Sequence, residues 1–472
     1  MFSPLAVYLH ILIPRSFEMV QPQARNLSAK PTSAKNFSIL LISTALALHL
    51  SVVIAMSILG PLAVFPGMID SNGVGISFAI DSTWNRVDAA NLAQVLRHRG
   101  IIEWLKYPAP FHAKLYSVSF ALFDPWSDFS ILTAEPVNAL LYLSILALVY
   151  KIGWEFGGAR VGWAAAGVVG IWPSFLLHTT QFLREPQIIA ATLLLVLIGI
   201  RSLTRTFSWG QGLVATAATA LALGVIWLIR AEMWELIVAV LVTGTALLIA
   251  RQLFERRLLA GNMLCVILLL PLAVAIPRLP RFLSWQVQER TGLEPKAAQP
   301  GNPSLGVANR ISLVRHRYYR LAAGSNIDED VQFKTNLDII RYLPRAAVIG
   351  FLAPFPNMWF ATGSNVGRSG RLLSGAETAV IYIIELLAVL GLWFRRRQWS
   401  TWFLAAVAAA SFTAMGLIVA NVSIIYRLRY AFMMLIIVLG TEGAWRLISL
   451  AKSVRTEPRP VPAMHTSERI AI

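Results

Sequence analysis

Residues 161–200 read VGWAAAGVVGIWPSFLLHTTQFLREPQIIAATLLLVLIGI, and this stretch decides what kind of chain this is. Two long apolar runs flank one short polar turn. A helix of roughly 18–20 uncharged residues is long enough to cross about 30 Å of hydrocarbon. The only Asp, Glu, Lys or Arg residues here are Arg184 and Glu185, side by side at the turn and followed by Pro186. A soluble helical hairpin would spread charge along both helices. Here charge is confined to the turn, as in a chain that crosses a bilayer and comes straight back.

Working outward, the same pattern repeats. The 472 residues are 56% hydrophobic and 14% charged, whereas a soluble chain carries about a quarter charged residues. Ten spans are expected, near 38–60, 131–150, 161–178, 186–203, 211–229, 233–250, 258–276, 374–394, 401–420 and 430–450. The fold class is therefore an all-α, multi-pass membrane protein. A cytoplasmic tail (1–37) precedes a seven-span core (38–276) that includes an outer loop (61–130). An outer polar segment (277–373), three C-terminal spans (374–450) and a second cytoplasmic tail (451–472) follow. The N-terminal stretch lacks the basic region and cleavage site of a signal peptide, and no internal repeat is visible. The single cysteine, Cys265, excludes an intrachain disulfide and a cysteine-based metal site.

The formal charge of +17 is not a nucleic-acid signal, because excess Lys and Arg collects in short cytoplasmic loops of membrane proteins. Basic clusters fall at 25–35, 151–160, 201–205, 251–257, 395–397 and 452–459. With the N-terminus inside, all six are cytoplasmic. The opposite face then receives the segment 70–130, the LREP turn (183–186), IRAEMWE (229–235), the long segment 277–374 and NVSIIYRLRY (421–430). Ionisable groups this close to a bilayer usually face a protein interior or a water-filled cavity. Taken singly, each has a plain structural reading. Pro186 suits a first helical turn and Glu185 its positive end, and Arg230 with Glu232 reads as an interfacial pair. The convergence of several such turns on one face favours a site.

The first outer segment is too polar to span and too apolar to be unstructured. Trp84, Val87, Ala90, Leu92, Ala93 and Leu96 form a stripe closed by Gly100, and Phe111, Leu115, Val118, Ala121 and Leu122 form another after Pro108 and Pro110. Two amphipathic helices in the interface plane fit both. Asp81 stands just before the first stripe, as an N-cap or as a group facing a cavity. Asp88 is expected on a solvated helix face, and His112 and Lys114 at the interface. One His without a second ligand at helical spacing is no metal signal.

Several residues then carry a resemblance. Asp81 is followed by Trp84, Ala89 and Leu92. Asn138, Tyr150, Gly158, Arg160 and Pro173 come next, and Arg184, Glu185 and Pro186 form the turn. Over roughly residues 75–200 this order resembles the GT-C membrane glycosyltransferases, particularly bacterial members similar to dolichyl-phosphate-mannose protein mannosyltransferases. The chain departs from the pattern in two places. Glu185 stands where many relatives have Asp, and Ser82 follows Asp81 where the best-known members carry an acidic pair.

The resemblance implies an inverting transferase on the outer face of the plasma (inner) membrane. It would move a sugar from a polyprenyl-phosphate-linked donor to a hydroxyl of a glycan, lipid or protein acceptor. That chemistry needs a carboxylate to take the hydroxyl proton and cations to hold the departing phosphate. The resemblance casts Asp81 as the base with Asp88 as the alternative. Glu185 would orient Arg184, assist the base or bind a metal. Arg184, Arg230, Arg427 and Arg429 are candidates for the donor phosphate. The one cofactor in view is a divalent cation, for which the acidic run IDED (327–330) offers oxygen donors, although adjacent acids are more often simply exposed.

Between residues 277 and 345 lie 11 Lys/Arg and 6 Asp/Glu, a net +5. Within it Arg310, Arg315, Arg317 and Arg320 accompany Tyr318 and Tyr319, a composition suited to a sugar phosphate or anionic lipid, or to a solvated interfacial helix. Residues 342–359, apolar with prolines toward both ends, read as a short interfacial or re-entrant piece. A polymerase or ligase using a lipid-diphosphate-linked glycan shares most of these features and would lean more on the arginines. A transporter of such lipids predicts inverted repeats and broken helices, neither of which the sequence shows.

Overall fold

The computed structural model describes residues 31–62, 64, 69, 75–76, 79–107, 109–127, 130–278, 306–319, 325–360 and 367–456. Most of the N-terminal tail, residues 279–305, Arg320 and the end of the C-terminal tail lie outside them. The described residues form sixteen α-helices. They run α1 (Pro31–Leu59), α2 (Ile80–Lys106), α3 (Phe111–Ser127), α4 (Ile131–Gly157), α5 (Ala159–Gly170), α6 (Pro173–Thr179), α7 (Glu185–Thr204) and α8 (Trp209–Ile229). Then come α9 (Trp234–Glu255), α10 (Ala260–Ala275), α11 (Val307–Tyr319), α12 (Asn336–Leu352), α13 (Gly367–Arg395), α14 (Trp399–Ile418), α15 (Val422–Leu428) and α16 (Tyr430–Thr456).

Eight of these helices are long and apolar enough to cross a membrane: α1, α4, α7, α8, α9, α13, α14 and α16. The span expected at 161–178 is instead two pieces. Helices α5 and α6 meet at a bend of 70°. Pro173 opens α6, and a proline inside a continuous helix would lack its N–H and clash with the carbonyl one turn back. The expectation of unbroken helices is corrected here. The span expected at 258–276 is α10, which has only 16 residues and contains Pro271.

Helices α4, α7, α14 and α16 enclose the main core, where Tyr142, Leu193, Phe403, Phe412 and Phe432 pack together. Between helices in lipid the hydrophobic drive is weak, so close approach of backbones matters. Helices α13 and α16 cross on Gly391 and Gly443; a Cβ on either would stand 2.0 Å from a carbonyl oxygen of the other helix.

The basic loops share one end of the bundle. Glu155 receives Arg201 at 2.9 Å and a bidentate Arg205, and Arg251 donates to the carbonyls of Ser202 and Arg205. Glu442 is held between Arg395 and Arg446. Helices α2 and α3 lie at the other end.

Those two helices split their stripes between surface and interior. Trp84 is 63% and Leu122 60% exposed, whereas Asn85, Asp88, Ala89 and Leu92 of α2 and His112, Tyr116 and Phe120 of α3 are buried. Asp88, expected on a solvated face, is therefore an interior group. Of the stretch 342–359, the part up to Leu352 belongs to α12, opened six residues earlier by the Thr335–Asp338 capping box and packed through Gly350 on the Phe412 backbone of α14; a single 3-10 turn, Pro356–Met358, follows.

Candidate active site

The polar turn that opened the sequence is buried. Thr180, Gln181, Phe182 and Leu183 are fully enclosed, so their backbone groups need partners from elsewhere in the protein. Other elements supply them. Ser82 of α2 accepts from the Phe182 N–H at 3.1 Å, and Asn85 donates to the Phe182 carbonyl at 2.7 Å. Tyr116 of α3 donates to the Leu183 carbonyl at 2.9 Å and to Asn138 of α4 at 3.0 Å. Gln181 accepts the Ile76 N–H at 3.0 Å. The turn is thus a fixed mount for the two residues that follow it.

Glu185 begins α7, with Pro186 in the first turn, so the helix-start reading holds. It does not exhaust the residue's role. The carboxylate is 4% exposed, and its Oε1 lies 4.0 Å from both Arg427 Nη1 and Arg230 Nη2. Two guanidiniums and the positive end of α7 offset the cost of burying that anion. Arg427 Nη1 also lies 3.3 Å from Asp81 Oδ2. Asp81 is no cap: the N-cap of α2 is Ala79, without a side-chain hydrogen bond. Its side chain is 53% exposed at the lip of the cluster. Arg184 is half-buried, and its positive charge acts on His112 and Arg230. Glu232 stands 3.9 Å from Arg230.

His112 lies within this field. Its Nε2 is 2.9 Å from Asn85 Oδ1. Burial, reinforced by Arg184 and Arg230 against the opposing pull of Glu185, pushes the ring down to about 3. Tyr318 comes from α11; burial raises its pKa, and Arg230, Glu232 and Arg184 act on it. Part of the long polar segment therefore reaches the cluster.

Other sequence candidates are placed apart from it. Arg429 follows Arg427 by two residues but is fully buried elsewhere. It donates to the Ala353 carbonyl, stacks 4.6 Å over Tyr426 and lines a small, partly open apolar pocket with Trp172, Phe175, Met433 and Met434. Arg315 is corrected to a structural tie. Its guanidinium donates to the carbonyls of Gly416, Leu417, Ile327 and Asp328 and to Tyr342, fastening α11 to the end of α14. Arg317 is exposed. Lys114 donates to the Leu105 carbonyl at 2.7 Å. In the acidic run, Asp328 is taken by Arg345 at 3.0 Å and Tyr342 at 2.7 Å, and hydrogen bonding from Arg345 holds its carboxyl below the usual range. No cluster of three or more His, Cys, Asp or Glu suited to a metal ion occurs among the described residues.

Two polar networks inside the bundle were missed. His49 of α1 meets Glu135 of α4 at 2.8 Å and Thr179 of α6 at 3.2 Å. At the break between α5 and α6, Glu377 of α13 accepts the Ser174 N–H at 2.7 Å and the Tyr426 hydroxyl, while Tyr430 donates to Ser174 Oγ at 2.8 Å. The available signal was an ionisable residue inside an apolar run, which in lipid implies a partner.

Two solved membrane proteins share a partial likeness with the chain. One is the archaeal oligosaccharyltransferase AglB from Archaeoglobus fulgidus, in complex with an inhibitory peptide and a dolichol-phosphate. It is matched at a TM-score of 0.43 and 13% identity over 88% of this chain and 52% of that one. The chain thus spans about half the length of that oligosaccharyltransferase. The other is ArnT from Cupriavidus metallidurans, matched at a TM-score of 0.35 and 14% identity over 90% of this chain and 80% of that one. A structure of ArnT bound to undecaprenyl phosphate gives a TM-score of 0.31 at 13% identity, over 82% and 81% of the two chains. No family model matches the sequence, and neither does any curated protein.

Proposed function

We propose that the protein is an inverting glycosyltransferase that moves a sugar from a polyprenyl-phosphate carrier to an acceptor hydroxyl. The site faces the outside of the inner membrane, with both termini in the cytoplasm. The observation that carries this reading is the ion cluster in which Arg427 lies against Asp81 of α2 and Glu185 of α7, with Arg230 at the same Glu185 oxygen.

The roles follow from exposure. Asp81 reaches solvent and takes the proton of the incoming hydroxyl as the acceptor oxygen bonds to C1. The bond from C1 to the phosphate oxygen breaks on the opposite face, inverting the anomeric centre. Negative charge grows on the departing phosphate, and Arg184, Arg230 and Arg427 stabilise it. Glu185, buried between two of these cations, keeps them in place before the reaction begins, which is how preorganised charge lowers a barrier.

The direct test is transfer of labelled sugar by the purified protein from a panel of polyprenyl-phosphate donors, beside Asp81→Asn and Arg184→Ala. The expected result is transfer by wild type and loss in Asp81→Asn with donor binding retained. Extension of a lipid-diphosphate-linked glycan with no use of a monophosphate donor would replace this reading with a polymerase or ligase.

A further inference from the structure

Three buried polar atoms around the ion cluster have no hydrogen-bond partner among the described residues: Glu185 Oε2, Arg230 Nη1 and His112 Nδ1. A buried polar atom left without a partner costs stability and calls for an explanation. Arg230 Nη1 can only donate and Glu185 Oε2, ionised, can only accept.

The role of His112 Nδ1 follows from its neighbours. Asn85 places an amide nitrogen on the Phe182 carbonyl, because a carbonyl can only accept. Its oxygen, Oδ1, therefore faces His112 Nε2. That oxygen also only accepts, so Nε2 carries the hydrogen. The enclosed ring, beside Arg184 and Arg230, is uncharged. Nδ1 is thus a bare lone pair, an acceptor waiting for a donor.

One donor and two acceptors together match a ligand that offers both phosphate oxygens and hydroxyl hydrogens. This inference rests on the glycosyl-phosphate reading above. We propose that His112 Nδ1 accepts a hydrogen bond from one hydroxyl of the transferred sugar, making His112 the residue that senses a free hydroxyl at that position of the donor. Arg230 takes a phosphate oxygen alongside it.

The two amide substitutions of His112 separate its nitrogens. In His112→Gln the longer side chain keeps a donor at the Nε2 position for Asn85 and loses the acceptor. In His112→Asn the amide oxygen stands near the Nδ1 position and keeps it. The experiment measures kcat/KM for wild type and both variants with the preferred polyprenyl-phosphate sugar and its series of monodeoxy analogues. In wild type, one analogue is expected to fall by about tenfold, the worth of one good hydrogen bond. His112→Gln is expected to lower the parent donor by a similar factor and to show no further loss with that analogue. His112→Asn keeps the discrimination.

An unchanged deoxy penalty in His112→Gln overturns the inference, as does its disappearance in His112→Asn. If His112→Gln does not fold, the result with His112→Asn decides alone. Absence of transfer from every monophosphate donor by wild type overturns the functional reading instead, and this inference with it.

Discussion

At the scale of the residue, the candidate site is a small set of charges, with Glu185 and Arg230 buried and Asp81 open to solvent. Asp81→Asn removes the proton acceptor while leaving a similar shape, so transfer should drop by about a hundredfold or more with donor binding kept; donor titration and turnover assays read the two effects separately. Arg230→Ala leaves the buried Glu185 with one cation fewer, and breaking a buried pair in this way costs about 3 kcal/mol. Thermal unfolding in detergent should show the loss. His112 gives the pH dependence. Its folded value of about 3 lies below the ordinary 6.5, so below pH 6.5 the unfolded chain binds a proton that the folded chain refuses. Stability therefore falls as pH drops from about 6.5 toward 3, at up to roughly 1.4 kcal/mol per unit. His112→Gln should flatten that part of the profile. Asp81, Arg184, Glu185, Arg230 and Arg427 were all visible in the sequence as charges on one face. Arg429 and Arg315 were not separable from them, because a face assignment says nothing of direction around a helix. Two positions along a helical turn amount to about 200° of rotation, enough to send Arg427 and Arg429 to opposite sides.

At the scale of the element, hydropathy identified the spanning helices, since only long apolar helices survive in lipid. It could not show the break at Pro173, because a proline also begins helices without breaking a span; what settles the matter is the Glu377 carboxylate that satisfies the freed Ser174 N–H. Nor could it show that α2 buries Asn85 and Asp88 beside Ala89 and Leu92, because an amphipathic stripe does not say which side meets the protein. Helix contacts give the next prediction. Gly391→Val forces a side chain into the Leu439 carbonyl and should lower stability by about 2 kcal/mol or more. Gly167→Ala, in open space within α5, should instead be neutral or gain up to about 1 kcal/mol. Unfolding midpoints of the two variants in one detergent make the comparison.

At the scale of the whole molecule, the charge asymmetry predicts a topology that cysteine labelling can check. Cys265 is buried, giving a quiet background. Lys106→Cys and Arg397→Cys place exposed thiols at opposite ends. An impermeant maleimide added to intact cells or spheroplasts should label the first and not the second until the membrane is opened; the reverse pattern would turn the protein over. The asymmetry was legible because it is summed over many loops, whereas the assembly of the site depends on side-chain geometry that no sum over loops contains.

Arg427 uses one nitrogen, Nη1, for both Asp81 and Glu185. A phosphate settling among the arginines competes for that nitrogen and leaves Asp81 without its cation. On the proposed mechanism, the aspartate is then free to face the acceptor hydroxyl only once the carrier lipid is seated. The kinetic order follows: carrier first, acceptor second, with an acceptor analogue inhibiting only the carrier-loaded protein. In the empty site that carboxylate stays paired with Arg427.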